Sequence, residues 1–216
     1  MTRAVIFDLD GLIVDSEPLH QESFNRLLAR HGIAYRIGEE EYGKVFVGVP
    51  VRENFEWLIE NRGLQISVEQ AIVEREAAFL ELISNPRNIV VMPGARALIQ
   101  ALTARGIPIA LATGASRAEA ETMLRGIGIT NHFRAVVTGS DAARGKPAPD
   151  IYLRALERLE LRGEECLALE DSASGIAAAK AAGLRVIAVP NRFTRHQDLS
   201  RADKRVESLE HVEIED

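Results

Sequence analysis

Ala4-Val5-Ile6-Phe7-Asp8-Leu9-Asp10-Gly11 runs four apolar residues straight into two acids separated by one leucine. An apolar run this short, so near the start of the chain, reads as a strand buried on both faces. Side chains two apart in a strand point the same way, so Asp8 and Asp10 are expected to aim together out of its C-terminal end. In open parallel α/β sheets, ligands bind in the crevice at those ends. Two adjacent carboxylates repel each other and are costly to keep dry, so a cation is expected between them, most simply a divalent metal. An acid-x-acid tripeptide also occurs in ordinary polar turns, and only the rest of the chain separates the two readings. An EF-hand loop starting at Asp8 is excluded, because Leu19 stands where its bidentate Glu belongs.

Further polar groups end further apolar runs. The run 107–112 ends in Thr113-Gly114, the run 135–137 ends near Thr138-Gly139 with Lys146 in the loop that follows, and 167–169 ends in Glu170-Asp171. A fifth run, 186–189, is closed by Pro190. Between them lie helical stretches: 95–105, stopped by Gly106; one opened by the capping box Ser116-Arg-Ala-Glu119 and running to about 125; 150–159; and the small-residue stretch 172–182. Strands alternating with helices predict an α/β fold, a doubly wound parallel (Rossmann-like) sheet. Right-handed crossovers bring every strand's C-terminal end to one edge. Asp8, Asp10, Thr113, Glu170 and Asp171 are expected there, with Lys146 beside them.

Between the first two strands the pattern changes. A helix to about 30 with Ser16 as N-cap and Gly32 as stop, a second over 51–62 ended by Gly63, and a third from the capping box Ser67-Val-Glu-Gln70 to about 83 leave no legible strand. That is too much chain for a simple crossover. It reads as an inserted all-helical cap domain over 15–87, with the catalytic core formed by 1–14 plus 88–216. The charged tail 201–216 is expected on the surface.

Composition narrows the function classes. Hydrophobic residues at 46% and charged residues at 27% fit a soluble globular protein, and a net charge of −6 argues against nonspecific binding to nucleic acid or an anionic membrane. Cys166, alone, excludes an intrachain disulfide and a multi-cysteine metal site, and at the start of an apolar run it reads as a buried, inert thiol. With no signal peptide and no apolar run long enough to span a bilayer, a cytoplasmic location is expected. A monomer is expected too.

Four acids, a lysine and a hydroxyl suit phosphoryl transfer better than ester hydrolysis. Thr113 and the amides of Gly114 and Ala115, near a helix N-terminus, suit phosphate oxygens. Lys146 offers a point charge to the same group, and the carboxylates suit Mg²⁺. Two competing motifs fail. Gly139-Ser-Asp-Ala-Ala-Arg-Gly145-Lys146-Pro147 has one residue too many for a Walker loop and a proline where Ser or Thr should meet Mg²⁺. Gly126-Ile-Gly128 follows a helix rather than a strand and lacks the third glycine of a dinucleotide fingerprint.

Taken together and in order, Phe7-Asp-Leu-Asp-Gly11, Leu111-Ala-Thr-Gly-Ala-Ser116, Gly145-Lys-Pro-Ala-Pro-Asp150 and Leu169-Glu-Asp-Ser-Ala-Ser-Gly175 resemble the haloacid dehalogenase (HAD) superfamily, in the branch containing β-phosphoglucomutase and phosphoglycolate phosphatase. The resemblance runs nearly end to end. It implies that Asp8 is the nucleophile and forms an aspartyl-phosphate, and that Asp10 is the general acid and then the base. It implies that Thr113 and Lys146 grip the phosphoryl group. Mg²⁺ would be held by Asp8, the backbone carbonyl of Asp10 and Asp171, with Glu170 direct or through water. By the same resemblance, members that break carbon–halogen bonds lack an Asp two residues after the nucleophile, whereas phosphatases and phosphomutases have it. An alkoxide leaving group needs a proton and a halide does not.

The helical insertion matches the family's mobile cap, where Glu17, His20, Gly48 and Arg52 are the candidates for substrate contact. Trp57 reads as cap core. A sugar mutase would carry a Lys just before the cap-loop glycine and an Arg three after it. Val47 precedes Gly48, and Arg52 is four after. The expected function is therefore a Mg²⁺-dependent phosphomonoester hydrolase acting on a small phosphorylated metabolite, a sugar or organic-acid phosphate. A sugar phosphomutase is the alternative. A non-catalytic binding protein on the same scaffold is a remote one, disfavoured by the presence of both Asp8 and Asp10.

Overall fold

Burial of Ala4–Phe7 on both faces decides the architecture, and each of the four residues is wholly buried. This strand, β1, lies in the middle of a six-stranded sheet in a computed structural model that describes residues 2–214. The others are β2 (Ile109–Ala112), β3 (Phe133–Val137), β4 (Cys166–Glu170), β5 (Arg185–Ala188) and β6 (Lys204–Arg205), all parallel, in the order β3-β2-β1-β4-β5-β6. Ile6 is in register with Ala110 on one side and Ala168 on the other.

Successive side chains of β1 feed opposite layers, as strand geometry requires. Val5 and Phe7 join the cluster built by Ile99 and Leu102 of α5 (Ala95–Ala104) and Met123 and Leu124 of α6 (Arg117–Gly126). Ala4 and Ile6 join Tyr152 and Ala155 of α7 (Asp150–Leu159) and Ile176 and Ala179 of α8 (Ala173–Ala181). Between β1 and α5 stand α1 (Glu17–Arg30), α2 (Glu39–Glu41), α3 (Val51–Arg62) and α4 (Val68–Ser84), which pack around their own cluster of Phe24, Leu28, Phe55, Leu58 and Ala71. Phe193, from the segment after β5, reaches into that cluster. Among the described residues no helix is long and apolar enough to cross a membrane. Cys166 is buried, and burial pushes its thiol up to about 11, in keeping with an inert side chain.

The structure corrects several expectations. Ser16 has helical backbone angles and makes no capping bond; its hydroxyl donates to Asp10 instead. Ser67 caps α4 through the Gln70 amide, but the Gln70 side chain turns to Glu74, so that capping box is half formed. Ser116 and Glu119 form theirs in full. The charged tail is not only surface: β6 pairs with β5, and Val206, Leu209 and Val212 are buried in the core. Met1, Glu215 and Asp216 lie outside the described residues.

One polar knot holds the edge of the sheet that leads to Lys146. Asp141 accepts from the Thr138 amide (2.9 Å) and hydroxyl (2.8 Å), from Arg117 of α6 (2.6 Å) and from Arg158 of α7 (2.9 Å). Burial opposes its ionisation, but the Thr138 and Arg117 bonds outweigh it and hold the carboxyl well below the usual range. Asp141→Ala is expected to lower stability by roughly 2 kcal/mol at pH 7, since it strands donors that charge-assisted bonds now satisfy. A depressed carboxyl stabilises the fold fully above its unfolded value, near pH 4, and loses that effect as the pH falls. Urea titrations of both proteins at pH 7 and pH 3 should therefore show the gap narrowing in acid. A gap that is equal at both pH values would remove the charge from the explanation.

Candidate active site

The C-terminal ends of β1 and β4 deliver three acids to one point. Asp8 leaves β1, and its amide donates to Leu169 (3.1 Å), which locks the two strand ends together. Glu170 ends β4 and Asp171 follows it. Ligand atoms of Asp8, Glu170 and Asp171 all lie within 4.8 Å of one another, in buried residues. Lys146 reaches in from the loop after β3 and donates to Asp8 Oδ1 (2.6 Å) and Glu170 Oε1 (2.5 Å). The Tyr152 hydroxyl donates to the same Glu170 oxygen (2.6 Å). Glu170 is pressed so closely on α8 that a Cβ at Gly175 would collide with its carboxylate, which explains the glycine there.

The charges do not balance. Burial disfavours the charged form of Lys146, but Asp8 and Glu170 outweigh that and raise its pKa. Burial pushes Asp8 up to about 7 against the pull of Lys146, with Glu170 and Asp10 adding repulsion. Burial, then Asp8 and Glu170, push Asp171 well above the carboxylate range. Three carboxylates share one ammonium, and the donor set is all oxygen. That excess of buried negative charge and those ligands fit a hard divalent cation such as Mg²⁺.

The Asp10 carboxylate is not among these ligand atoms, although strand alternation predicts that it shares a cation with the Asp8 carboxylate; the expectation for its backbone carbonyl is a separate one. The strand has ended at Phe7, and the chain turns at Gly11 with φ of 76°, so the two-residue period no longer holds. The Asp10 carboxylate instead accepts from Ser16 (2.7 Å), lies 3.2 Å from His20 Nε2, and accepts from Thr113 (3.2 Å). Burial works against its charged form, but the bonds to His20, Ser16 and Thr113 prevail and hold the carboxyl below its ordinary value.

His20 lies face to face on Phe79, ring centroids 3.9 Å apart, with Nδ1 against the Arg75 guanidinium. A guanidinium only donates, so Nδ1 accepts and Nε2 carries the proton that points at Asp10. Arg75 also donates to Ser23 (3.0 Å) and lies 3.9 Å from Glu119 Oε1 across the boundary with α6.

A cavity of about 600 Å³ opens over this edge. Asp8, Asp10, Lys146 and Asp171 line it from the sheet, and Glu17, His20, Val47 and Gly48 from the helical insertion. Gly114 and Ala115 line it as well. Thr113 is wholly buried and accepts from the Ala115 amide (3.1 Å). Glu17 accepts from the Tyr42 hydroxyl (2.7 Å), and burial raises its pKa. Arg52 is not brought to the site. It lies in the first turn of α3, exposed, and pairs with Glu69 (3.0 Å).

Reading the sequence missed Arg75, Tyr152 and Asn191. Arg75 shares its buried helix face with Ala71, Ala78 and Phe79, and an arginine in such a phase was the available signal. Asn191 follows the proline that closes β5 and donates to Asp171 (2.8 Å).

Residues 2–183 match the family model for haloacid dehalogenase-like hydrolases. The chain belongs to that family. It is thereby an enzyme, a hydrolase, and relatives named for an activity place it among the HAD-like phosphatases. It is 36% identical over 189 residues to the phosphorylated carbohydrates phosphatase of Thermotoga maritima, covering 86% of this chain and 83% of that protein. It is 34% identical over 214 residues to protein CbbY of Rhodobacter capsulatus, covering 96% of this chain and 93% of that one. The crystal structure of a CbbY mutant from Rhodobacter sphaeroides in complex with xylulose-(1,5)bisphosphate superposes with a TM-score of 0.87 at 30% identity, over 98% of this chain and 96% of that one. The HAD fold of the sheet and its flanking helices is thus shared from end to end.

Proposed function

We propose that this HAD-like phosphatase is a Mg²⁺-dependent phosphomonoester hydrolase that takes the phosphoryl group of a small sugar or organic-acid phosphate onto Asp8 and then passes it to water. The observation that carries the reading is the bridge from Lys146 to Asp8 and Glu170, set beside Asp171 in a cavity that Asp10 also lines. Asp8, Glu170 and Asp171 would hold the metal, which when bound supplies positive charge against the repulsion between carboxylate and phosphate.

The chain's own groups account for the rest. A carboxylate oxygen of Asp8 forms the bond to phosphorus as the ester oxygen leaves with the bonding pair, and Lys146 neutralises charge on the attacked group. Asp10 gives a proton to the leaving oxygen in the first half and takes one from water in the second. The three groups around Asp10 favour its ionised form, the one the second half needs; the first half needs the protonated form, which the negative charge of a phosphate bound beside the carboxylate favours. Glu17, His20 and Gly48, from the insertion that we read as a cap, face the leaving group.

Hydrolysis is favoured over phosphoryl return to a sugar by what the insertion does not offer. Val47 stands where the mutase pattern has a lysine, Arg52 is tied to Glu69 outside the cavity, and Arg75, which lines the cavity, turns its Nε and one terminal nitrogen to Ser23 and His20. With Arg75 the cap's cation at the cavity and no lysine before Gly48, the grip on a second phosphate is weaker than the mutase pattern supplies, so release of phosphate from small phosphate esters is the expected outcome. A panel of metabolite phosphates scored for inorganic phosphate, run beside a coupled glucose 6-phosphate assay, tests this. Several small monoesters should release phosphate, EDTA should stop the release, Mg²⁺ should restore it, and Ca²⁺ should substitute poorly because it prefers longer bonds and more ligands. Rapid isomerisation of β-glucose 1-phosphate with almost no phosphate release would replace the phosphatase with a mutase.

A further inference from the structure

Asn191 stands where three segments meet. Its amide nitrogen donates to Asp171 Oδ2 (2.8 Å) and to the Gly11 carbonyl (3.0 Å), while its side-chain oxygen accepts from the Phe193 amide (2.7 Å). Asp171 belongs to the loop after β4 and Gly11 to the loop after β1. These loops approach so closely that a Cβ at Gly11 would run into both Asp171 and Asn191. Lys146 holds Asp8 and Glu170 in place through its hydrogen bonds, and the neutral amide of Asn191 reaches the third acid. Asn191 is itself held, its backbone amide donating to the Thr194 hydroxyl (3.1 Å) and its neighbour Phe193 buried against Tyr42 at 5.9 Å between ring centroids.

We propose that Asn191 is a positioning residue for the acidic trio. By occupying one Asp171 oxygen and the Gly11 carbonyl together, it fixes the turn of that carboxylate and the spacing of the β1 and β4 loops. It thereby keeps the oxygens of Asp8, Glu170 and Asp171 close enough to act on one cation. Partners of this kind orient metal ligands, and their loss costs about 10–100-fold in metal affinity. The inference rests on the reading of the trio as a Mg²⁺ site.

The test is calorimetric titration of the substrate-free protein with Mg²⁺. Asn191→Ala removes the donor. Asn191→Ser retains an acceptor for the Phe193 amide but is too short to span Asp171 and Gly11. Phe193→Leu disturbs the anchor of the same loop without touching Asp171. Both Asn191 variants should bind Mg²⁺ about 10–100-fold more weakly than wild type. Phe193→Leu should stay within about threefold, and kcat of the Asn191 variants should recover at saturating Mg²⁺, as expected for ligand orientation. Circular dichroism melting of the metal-free proteins checks that each is folded. Equal weakening in Phe193→Leu would assign the effect to loop disorder and overturn the proposal, as would undiminished binding in the two Asn191 variants. Wild type that binds no Mg²⁺ would overturn the metal reading along with it, whereas wild-type binding matched by the variants overturns only the role of Asn191.

Discussion

Asp8→Asn should release no measurable inorganic phosphate from any substrate of the wild-type protein, and it should fold as well as the wild type. Turnover is expected to fall by at least about ten-thousandfold, the scale on which loss of a nucleophile acts, or roughly 5.5 kcal/mol of barrier. An amide oxygen is too weak a nucleophile to form the acyl-phosphate, and no neighbour can replace it. Glu170 is wholly buried and holds Lys146 and Tyr152, Asp171 is tied to Asn191, and Asp10 is turned toward Ser16, His20 and Thr113. Stability should survive because the charge at residue 8 is held against burial and against repulsion from Glu170 and Asp10. A neutral isostere removes that repulsion, which offsets the lost pair with Lys146. The measurements are a phosphate-release assay and a melting curve on the same sample. Activity above a few per cent of wild type, in folded protein, would take the nucleophile's role from Asp8.

How much of this was legible in the chain follows from the range of the forces involved. The placement of Asp8, Thr113, Lys146 and Glu170-Asp171 needed only short apolar runs and the rule that parallel strands point one way, and all of these residues gather at one edge. The direction of the Asp10 side chain was not legible, since it depends on the turn at Gly11 and on the bridge between Asp10 and Val14. Those features are set by contacts outside the strand. Ser16 is a residue type suited to an N-cap, yet the half-buried Asp10 carboxylate six residues earlier competes for its hydroxyl and wins.

Arg75 shows a different limit. Residues 68–84 carry charges on most sides, and only the packing of α4 on α1 and α6 decides which one turns inward. β6 is two exposed basic residues without an apolar pattern to read. Val206, Leu209 and Val212 behind it, three apart, did carry a signal that the surrounding charge obscured. The distance of Arg52 from Gly48 is the signal that nominates it. The helix α3 begins one residue before it and points it at Glu69, away from the cavity.

Lys146→Ala is expected to lower kcat/KM by at least about a hundredfold, roughly 2.7 kcal/mol of transition-state stabilisation, the scale of one oriented electrostatic group. The bland alternative, a solvated loop lysine, does not describe this residue. Its ammonium is in contact with two buried carboxylates and lies 5.3 Å from the centre of the Tyr152 ring, and its side chain is only 11% exposed. Removing it leaves Asp8, Glu170 and Asp171 facing one another without an intrinsic cation. That produces a second effect, separable from catalysis. Breaking a buried pair by deleting one partner destabilises a fold by about 3–5 kcal/mol, because the charges left behind are uncompensated. A bound divalent cation supplies the missing charge, so Mg²⁺ should raise the melting temperature of Lys146→Ala by more than it raises that of the wild type. Lys146→Arg should not restore activity, since a planar fork does not fit where a compact ammonium meets two carboxylates from different loops. Kinetics at saturating Mg²⁺ and melting curves across a Mg²⁺ series provide both readouts. A two-fold change in kcat/KM with equal Mg²⁺ shifts in both proteins would return Lys146 to a structural role and leave the phosphate without its protein cation.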